Sequence, residues 1–227
     1  IVWNNTTKEL DIAAGLTSGR YPVTLTATNG VSPAATMKFT LTVYATNAGR
    51  SLTTTFTSDN GFAGNMFDME VAGRNPVLIN SFDVHLAQNS GTSCTISVYY
   101  REGGYSGYEM NSSAWTLVGT QTGITLAGVN QPTPLAVGGV VLEPGIRYGF
   151  YVSVSDYGCS MLYTNMPVGT EYSDNNLRII SGVGRGNPDF TGQYFDGRAW
   201  NGTVNYAPLD GSDAFLSGLT VTGAALN

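Results

Sequence analysis

Apolar and polar residues alternate along most of this chain, and short clusters of glycine, asparagine, proline and serine interrupt the alternation. In the segment RYPVTLTATNG, Val23, Leu25 and Ala27 alternate with threonines. Because successive side chains of a strand point to opposite faces, this spacing gives one apolar face and one threonine face. The segment MKFTLTVY repeats the pattern, and the Asn29-Gly30 step supplies a turn between the two. Residues 1–44 are therefore predicted to form strands and no helix.

The same period of two continues through Ser51–Pro208, where short alternating segments are bounded by turn residues. These segments are LTTTFTS, MFDMEVA, VLINSFDVHLA, CTISVYYR, WTLVGTQTG, TPLAVGGVVL, RYGFYVSVS, SMLYTNM, NLRIISGVG and WNGTVNYA. So many short strands without a helical period favour two packed sheets. We predict an all-β fold whose main part is a jelly-roll β-sandwich.

The first part of the chain carries a recognisable motif. The stretch WNNTTKELDIAAGLTSGRYPVTLTATNGVSPAATMKFTLTV resembles the C-terminal half of the bacterial immunoglobulin-like repeats known as putative Ig domains, on Gly19, Tyr21, Asn29, Gly30 and both strands. A complete sandwich of this kind needs about 100 residues, so residues 1–46 are expected to be a partial Ig-like repeat. The resemblance implies a stalk or adhesion module and carries no catalytic residues.

The remaining parts resemble other extracellular modules. Residues 47–208 resemble uncharacterised jelly-roll modules of secreted, multi-domain bacterial proteins, on GNMFDM, YYREGGYSGYE, AWTLVG, RYGFYV and WNGTVNY. In residues 209–227, a polar linker precedes LSGLTVTGAALN, which resembles the first strand of cadherin-like β-sandwich repeats. These resemblances imply a secreted or cell-surface protein built from a string of β-domains.

The two ends of the chain carry a further expectation. The partial repeat should leave a strand edge unpaired, and such edges recruit other strands. The tail strand Phe215–Ala225 has a suitable pattern. It is expected to pair with that edge either within one molecule or head to tail between molecules.

The charge composition disfavours polyanionic binding partners. The chain has a net charge of -6 and 11% charged residues, and its lysines are Lys8 and Lys38. Without a basic stripe it is not expected to bind nucleic acid or anionic lipid surfaces. It contains no apolar run of the roughly 20 residues that span a bilayer, and any targeting segment is expected to lie outside this sequence.

The two cysteines, Cys94 and Cys159, fit no metal or redox spacing. In an oxidising compartment they are expected to form a structural disulfide. The alternative is that the two thiols are buried separately.

Catalytic chemistry finds little support in the sequence. His85 is the chain's only histidine, and the alternation in SFDVHLA places it with Asp83 on an exposed face. A nucleophilic triad is therefore not expected. Two carboxylates suffice for glycoside hydrolysis, and the candidates are Asp68 with Glu70, on one face of a strand, and Glu102 with Glu109. Because acidic residues are otherwise scattered singly, we expect no enzymatic activity.

The segment YYREGGYSGYEMNSSAW concentrates aromatic rings, glycines and polar side chains. We call residues 99–115 the aromatic loop. Exposed rings stack on sugar faces, and neighbouring polar groups orient hydroxyls. The predicted ligand-binding residues are Tyr100, Arg101, Glu102, Tyr105, Tyr108, Glu109, Asn111 and Trp115. The alternative is packing, since alternation turns either Tyr99 or Tyr100 inward and Trp115 opens a strand.

Calcium is the one cofactor that the sequence brings into consideration. Oxygen ligands cluster in SDNG, EYSDNN and FDGR without EF-hand spacing. The candidate ligands are Asp59, Asn60 and Asp196, with Asp174 in reserve. Such clusters also form turns through bonds from side chain to backbone.

Together these patterns predict a non-catalytic extracellular module that serves adhesion or carbohydrate binding, with glycans or neighbouring β-repeat domains as partners. The alternatives are a structural spacer or self-assembling, strand-exchanging subunit, and a polysaccharide-active enzyme.

Overall fold

Strands form where the alternating segments predict them. The computed structural model describes residues 2–4, 6–7, 9–11, 17, 19–28, 30, 32, 34–43, 47–209 and 220–222. The strands are β1 (Val2–Asn4), β2 (Glu9–Asp11), β3 (Gly19–Ala27), β4 (Ala35–Val43), β5 (Arg50–Thr53), β6 (Asn60–Phe62), β7 (Gly64–Val71), β8 (Val77–Val84), β9 (Leu86–Gln88), β10 (Cys94–Glu102), β11 (Thr116–Ile124), β12 (Thr133–Leu135), β13 (Val140–Leu142), β14 (Arg147–Val154), β15 (Cys159–Asn165), β16 (Glu171–Ser173), β17 (Leu177–Arg185), β18 (Tyr194–Trp200), β19 (Gly202–Pro208) and β20 (Thr220–Thr222). A 3-10 turn, Ser112–Ala114, precedes β11. No helix among the described residues is long and apolar enough to cross a membrane.

The chain divides into two units, Asn47–Leu209 and the pair of terminal segments Ile1–Thr46 and Asp210–Asn227. In the terminal unit, β3 pairs with β4 from Gly19↔Val43 to Ala27↔Ala35. Half-buried and exposed residues alternate over Tyr21–Thr26, as the sequence pattern predicts.

The tail strand β20 pairs with β4 in the register Thr220↔Lys38 to Thr222↔Thr36. The sequence predicts that the tail pairs either within one molecule or between molecules, and this pairing is within one molecule. The other residues of the predicted tail strand, the polar linker before it and Asn29 lie outside the described residues.

The larger unit contains two antiparallel sheets. The large sheet has the order β11-β10-β14-β7-β17-β18-β15-β6, with β16 beside β17 and β9 beside β15. The small sheet has the order β12-β8-β19-β5, with β13 beside β8. The fold class, an all-β sandwich, is confirmed. Two predicted strands are divided: TPLAVGGVVL forms β12 and β13, separated at a pair of glycines, and VLINSFDVHLA forms β8 and β9, separated at His85.

The main core lies between the two sheets. Phe67 of the large sheet stacks on Trp200 with ring centroids 4.8 Å apart, and Phe150 lies 6.1 Å from Phe82 of the small sheet. All four side chains are almost fully buried. Burying such a side chain contributes roughly 1.5–3 kcal/mol. We call the face of the large sheet that carries Phe67 and Phe150 its inner face, and the opposite one its outer face.

The predicted disulfide is confirmed. Cys94 at the start of β10 bonds to Cys159 at the start of β15, with a Cα–Cα distance of 5.9 Å. It joins two strands that are distant in the sheet order and separated by 65 positions in sequence.

The expected exposure of His85 is wrong. β8 belongs to the small sheet and β9 to the large one, so the chain crosses between sheets at His85 and the alternation is interrupted there. The imidazole is buried 5.4 Å from the ring of Phe56, and its Nε2 lies 3.1 Å from Asn130 Oδ1. Burial lowers the pKa of His85, and the contact with Asn130 opposes this shift only in part.

Candidate functional site

The outer face of the large sheet carries a second apolar cluster that the aromatic loop covers. Its buried members are Met66, Tyr105, Trp115, Tyr151, Val183 and Phe190. Met66 pairs directly with Tyr151 and with Val183, and directly paired residues lie on the same face. The cluster is closed from above by two loops, the aromatic loop and the connection between β17 and β18.

Tight turns fold the aromatic loop back over the sheet. Gly103 and Gly104 both have positive φ, at 88° and 78°, which residues with a Cβ rarely adopt. After this turn the Tyr105 N–H donates to Asp68 Oδ1 at 2.8 Å. At the far end of the loop, Trp115 Nε1 donates to the carbonyl of Tyr108 at 2.9 Å. The loop is thereby fixed at both ends.

The structure corrects the expectation of exposed rings at two positions. Tyr105 and Trp115 are only 6% and 8% exposed, because the loop turns both rings into the outer-face cluster. Tyr100 points the other way and packs on Phe150, at 6.2 Å between ring centroids. All three rings therefore pack within the protein, as the alternative to ligand binding predicts.

The loop nevertheless presents several predicted residues to solvent. Tyr108 is exposed, and the guanidinium carbon of Arg101 lies 3.6 Å from its ring centroid. Glu102 and Asn111 are exposed and Glu109 is half-buried. Arg101 also donates through Nη1 to the carbonyl of Gly104, so the cation is held by the loop itself.

The predicted pair of carboxylates, Asp68 and Glu70, lies on one face and is engaged by arginine. Arg147 Nε lies 2.6 Å from Glu70 Oε1, and its Nη1 lies 3.7 Å from Asp68 Oδ2. Burial raises the pKa of Asp68 to about 6, although the Tyr105 N–H and the charge of Arg147 oppose the rise. In this arrangement Asp68 anchors the aromatic loop.

An open pocket of about 470 Å³ adjoins the aromatic loop on this side of the protein. We call it the Met110 pocket. Its lining residues are Met110, Thr191, Gly192, Gln193, Tyr194 and Phe195. Met110 comes from the aromatic loop, whereas the others belong to β18 and the loop before it. Met110 and Tyr194 are 53% and 50% exposed, so two large exposed apolar residues lie together at one pocket.

Acidic side chains act on the buried ring of Tyr105. The pKa of Tyr105 is raised to about 12, chiefly by burial and also by the negative charges of Asp68, Glu109 and Asp196. Glu109 of the loop and Asp196 of β18 therefore lie near the same phenol. The fold brings together two segments that are far apart in sequence.

We define the outer-face site as Tyr108, Glu109, Met110, Gln193, Tyr194 and Asp196. Tyr108 and Glu109 are predicted ligand residues, and Asp196 is a predicted metal ligand. The sequence interpretation missed Met110, Gln193 and Tyr194. Gln193 and Tyr194 could have been noticed as an adjacent amide and aromatic side chain in the segment TGQYFDG.

The calcium candidates are not brought together into one cluster within the described residues. Asp59 Oδ1 accepts from the Asn165 N–H at 2.8 Å, and Asn60 donates to the Asn165 side chain at 3.0 Å. Asp196 lies on β18, which like β6 pairs with β15. Within the described residues, no group of three or more His, Cys, Asp or Glu side chains is placed to hold a metal. Calcium stays a prediction.

Asp174 lies apart from the other calcium candidates, in the turn between β16 and β17. It accepts hydrogen bonds from the Asn176 and Leu177 N–H groups and from the Tyr206 hydroxyl, the last at 2.6 Å. Burial by itself would raise the pKa of Asp174, but these hydrogen bonds outweigh it and lower the pKa. This carboxylate is a turn former, as the alternative interpretation of these clusters expects.

Comparison with known proteins assigns the chain to no family. No family model and no curated protein sequence matches the chain. Among solved structures, it is similar to a chain of infectious bursal disease virus, Gx strain, at 10% identity and a TM-score of 0.23, over 88% of this chain. The match covers 62% of the viral chain, which is less than two thirds of its length. At this level of similarity neither fold nor function is inferred from it.

Proposed function

We propose that this chain is a non-catalytic extracellular module that binds carbohydrate through the outer-face site. The observation that carries the proposal is the pair of large exposed side chains, Met110 and Tyr194, that line one mostly apolar pocket. An exposed ring offers a flat apolar face to a sugar ring. Large exposed apolar groups that lie together beside a pocket, with polar residues around them, mark ligand-binding grooves more often than single exposed rings do.

Polar groups near the pocket suit the recognition of hydroxyls. Gln193 lines the pocket with both a donor and acceptors, and Glu109 and Asp196 supply carboxylate acceptors nearby. A few polar groups set around an apolar wall are the usual composition of a small-ligand site. The engagement of Asp68 and Glu70 by Arg147 favours binding without hydrolysis.

A secreted or cell-surface location forms part of the same proposal. The Cys94–Cys159 disulfide and the absence of a membrane-spanning helix among the described residues are compatible with it. The resemblance to bacterial Ig-like, jelly-roll and cadherin-like modules supports a bacterial adhesion or polysaccharide-binding context. In that context glycans and neighbouring β-repeat domains are the partners.

A glycan array with two tyrosine variants tests the proposal. Tyr194→Ala removes the pocket ring, whereas Tyr157→Ala removes a fully exposed ring in the turn before β15. We expect wild type and Tyr157→Ala to bind the same glycans. Tyr194→Ala should weaken binding by about 1–3 kcal/mol, as for a stacking contact. Equal binding by all three proteins, or no binding to any glycan, would overturn the proposal.

A second candidate function is self-assembly by strand exchange. Its supporting observation is the pairing of the short strand β20 with β4. A terminal strand that completes an edge within one molecule can complete the same edge of another copy. This candidate concerns the terminal unit and does not compete with carbohydrate binding by the larger one.

A further inference from the structure

Arg185 is a fully buried cation next to the Met110 pocket. It ends β17, it is 0% exposed, and it pairs directly with Tyr194 of β18, so both side chains lie on the outer face. Its Nη2 contacts the sulfur of Met110 at 3.4 Å. Among the described residues, its Nε and Nη1 have no hydrogen-bond partner, and its guanidinium has no carboxylate within 4 Å.

This environment is costly for a guanidinium. Burying a charge without a paired counter-charge is strongly unfavourable, and a thioether is only a weak acceptor. The carboxylate of Asp189 is already bonded to the hydroxyls of Tyr151 and Ser153. Burial and the charge of Asp189 raise the pKa of Tyr151, whereas the charge of Arg185 lowers it, so both charges act on the same phenol. Among the described residues, the hydrogen bonds of Asp189 therefore go to these two hydroxyls and not to Arg185.

We propose that the Met110 pocket receives an anionic group, which replaces the thioether of Met110 at the guanidinium of Arg185. Nη1 and Nη2 form the end of the guanidinium fork, and that end binds the two oxygens of a carboxylate or sulfate. Met110 is unbranched and half exposed, so it can swing aside without disturbing the core. The proposal rests on the proposed function and deepens it, because the ligand is then an acidic glycan.

The surrounding charges restrict which acidic glycans fit. Glu109 and Asp196 lie close to the same site, and the chain as a whole carries a net charge of -6. A densely charged polyanion would be repelled by this field. A glycan with single, well-separated carboxylates or sulfates avoids that repulsion. Its neutral hydroxyls can donate hydrogen bonds to the carboxylates of Glu109 and Asp196.

Matched glycan pairs test the inference. The array should hold glucuronate beside glucose, galacturonate beside galactose, and sulfated beside unsulfated galactose, each within the same oligosaccharide. We expect wild type to prefer the acidic member of at least one pair by more than about tenfold. Arg185→Gln should abolish that preference, and the control Arg74→Gln, at an exposed turn arginine, should retain it. The pair that responds distinguishes a carboxylate from a sulfate ligand.

A titration with inorganic sulfate separates failure of the inference from failure of the proposed function. We expect sulfate to shift the Nε–Hε NMR signal of Arg185 in the wild-type chain, and Met110→Ala to bind sulfate more tightly. This measurement does not require the Arg185→Gln variant to fold. Neutral glycans bound as well as acidic ones, with no sulfate shift, would overturn the inference and leave carbohydrate binding intact. A sulfate shift without any glycan binding would support the anion site alone.

Discussion

Asp68 shows how burial shapes the chemistry of a single residue. Its carboxylate accepts the Tyr105 N–H, and its pKa of about 6 lies above the value of an exposed aspartate. The folded chain therefore holds an extra proton between about pH 4 and pH 6. Protonation of Asp68 therefore stabilises the folded state relative to the unfolded one. This contribution to the unfolding free energy is fully present below about pH 4 and is lost as the pH rises through the pKa of the folded state.

Asp68→Asn should remove this pH dependence. We expect wild type to lose up to about 2–3 kcal/mol of unfolding free energy between pH 4 and pH 7 through Asp68, and the variant to lose none of it. His85 has a lowered pKa and acts in the opposite sense, losing stability as the pH falls. Urea unfolding of both proteins across this range isolates the difference. Parallel stability curves would show that Asp68 is ionised throughout.

Tyr105 and Tyr108 provide a second contrast at the same scale. Tyr105→Ala should lower the unfolding free energy by about 3 kcal/mol, because it leaves a cavity in the outer-face cluster. Tyr108→Ala should cost less than about 1 kcal/mol, since its ring is exposed. Denaturant unfolding measures both. Equal losses would contradict the division of the aromatic loop into buried and exposed rings.

At the scale of elements, the disulfide bridges β10 and β15. Replacing both cysteines by serine releases a loop closed over 65 positions, which should cost about 4 kcal/mol on the loop-entropy account. The thermal midpoint of the double variant should fall to that of the reduced wild type. A midpoint unchanged by either treatment would show that the bridge adds nothing to the packing around it.

The strands could be predicted from the sequence because alternation is a local property, and β7, β10 and β14 lie where the pattern places them. The environment of the loops could not be predicted from the sequence, because it depends on which distant strand or loop packs against each of them. Tyr105 is buried because Val183 and Phe190 approach it from another part of the chain. His85 is buried because the chain changes sheets there, and no local pattern marks such a crossing. Half of the outer-face site comes from β18 and its loop for the same reason.

At the scale of the whole molecule, the two ends of the chain belong to one unit. Deleting residues 215–227 should reduce amide-exchange protection in β4, where β20 supplies backbone partners, and leave residues 47–209 unchanged. Deleting only residues 223–227 keeps β20 and serves as the control. Unchanged protection of β4, in a deletion variant with the same oligomeric state as the parent, would rule out a role for the tail strand.

The central claim is that the outer-face site binds carbohydrate, and the methionine methyl groups report on it most directly. Among the six methionines, Met110 is exposed at the pocket, whereas Met66, Met69 and Met161 are buried. Carbon-13 methyl NMR during titration with the best glycan from the array should shift the Met110 signal progressively, and the three buried signals should stay in place. Saturable glycan binding that leaves the Met110 signal unmoved would contradict the claim.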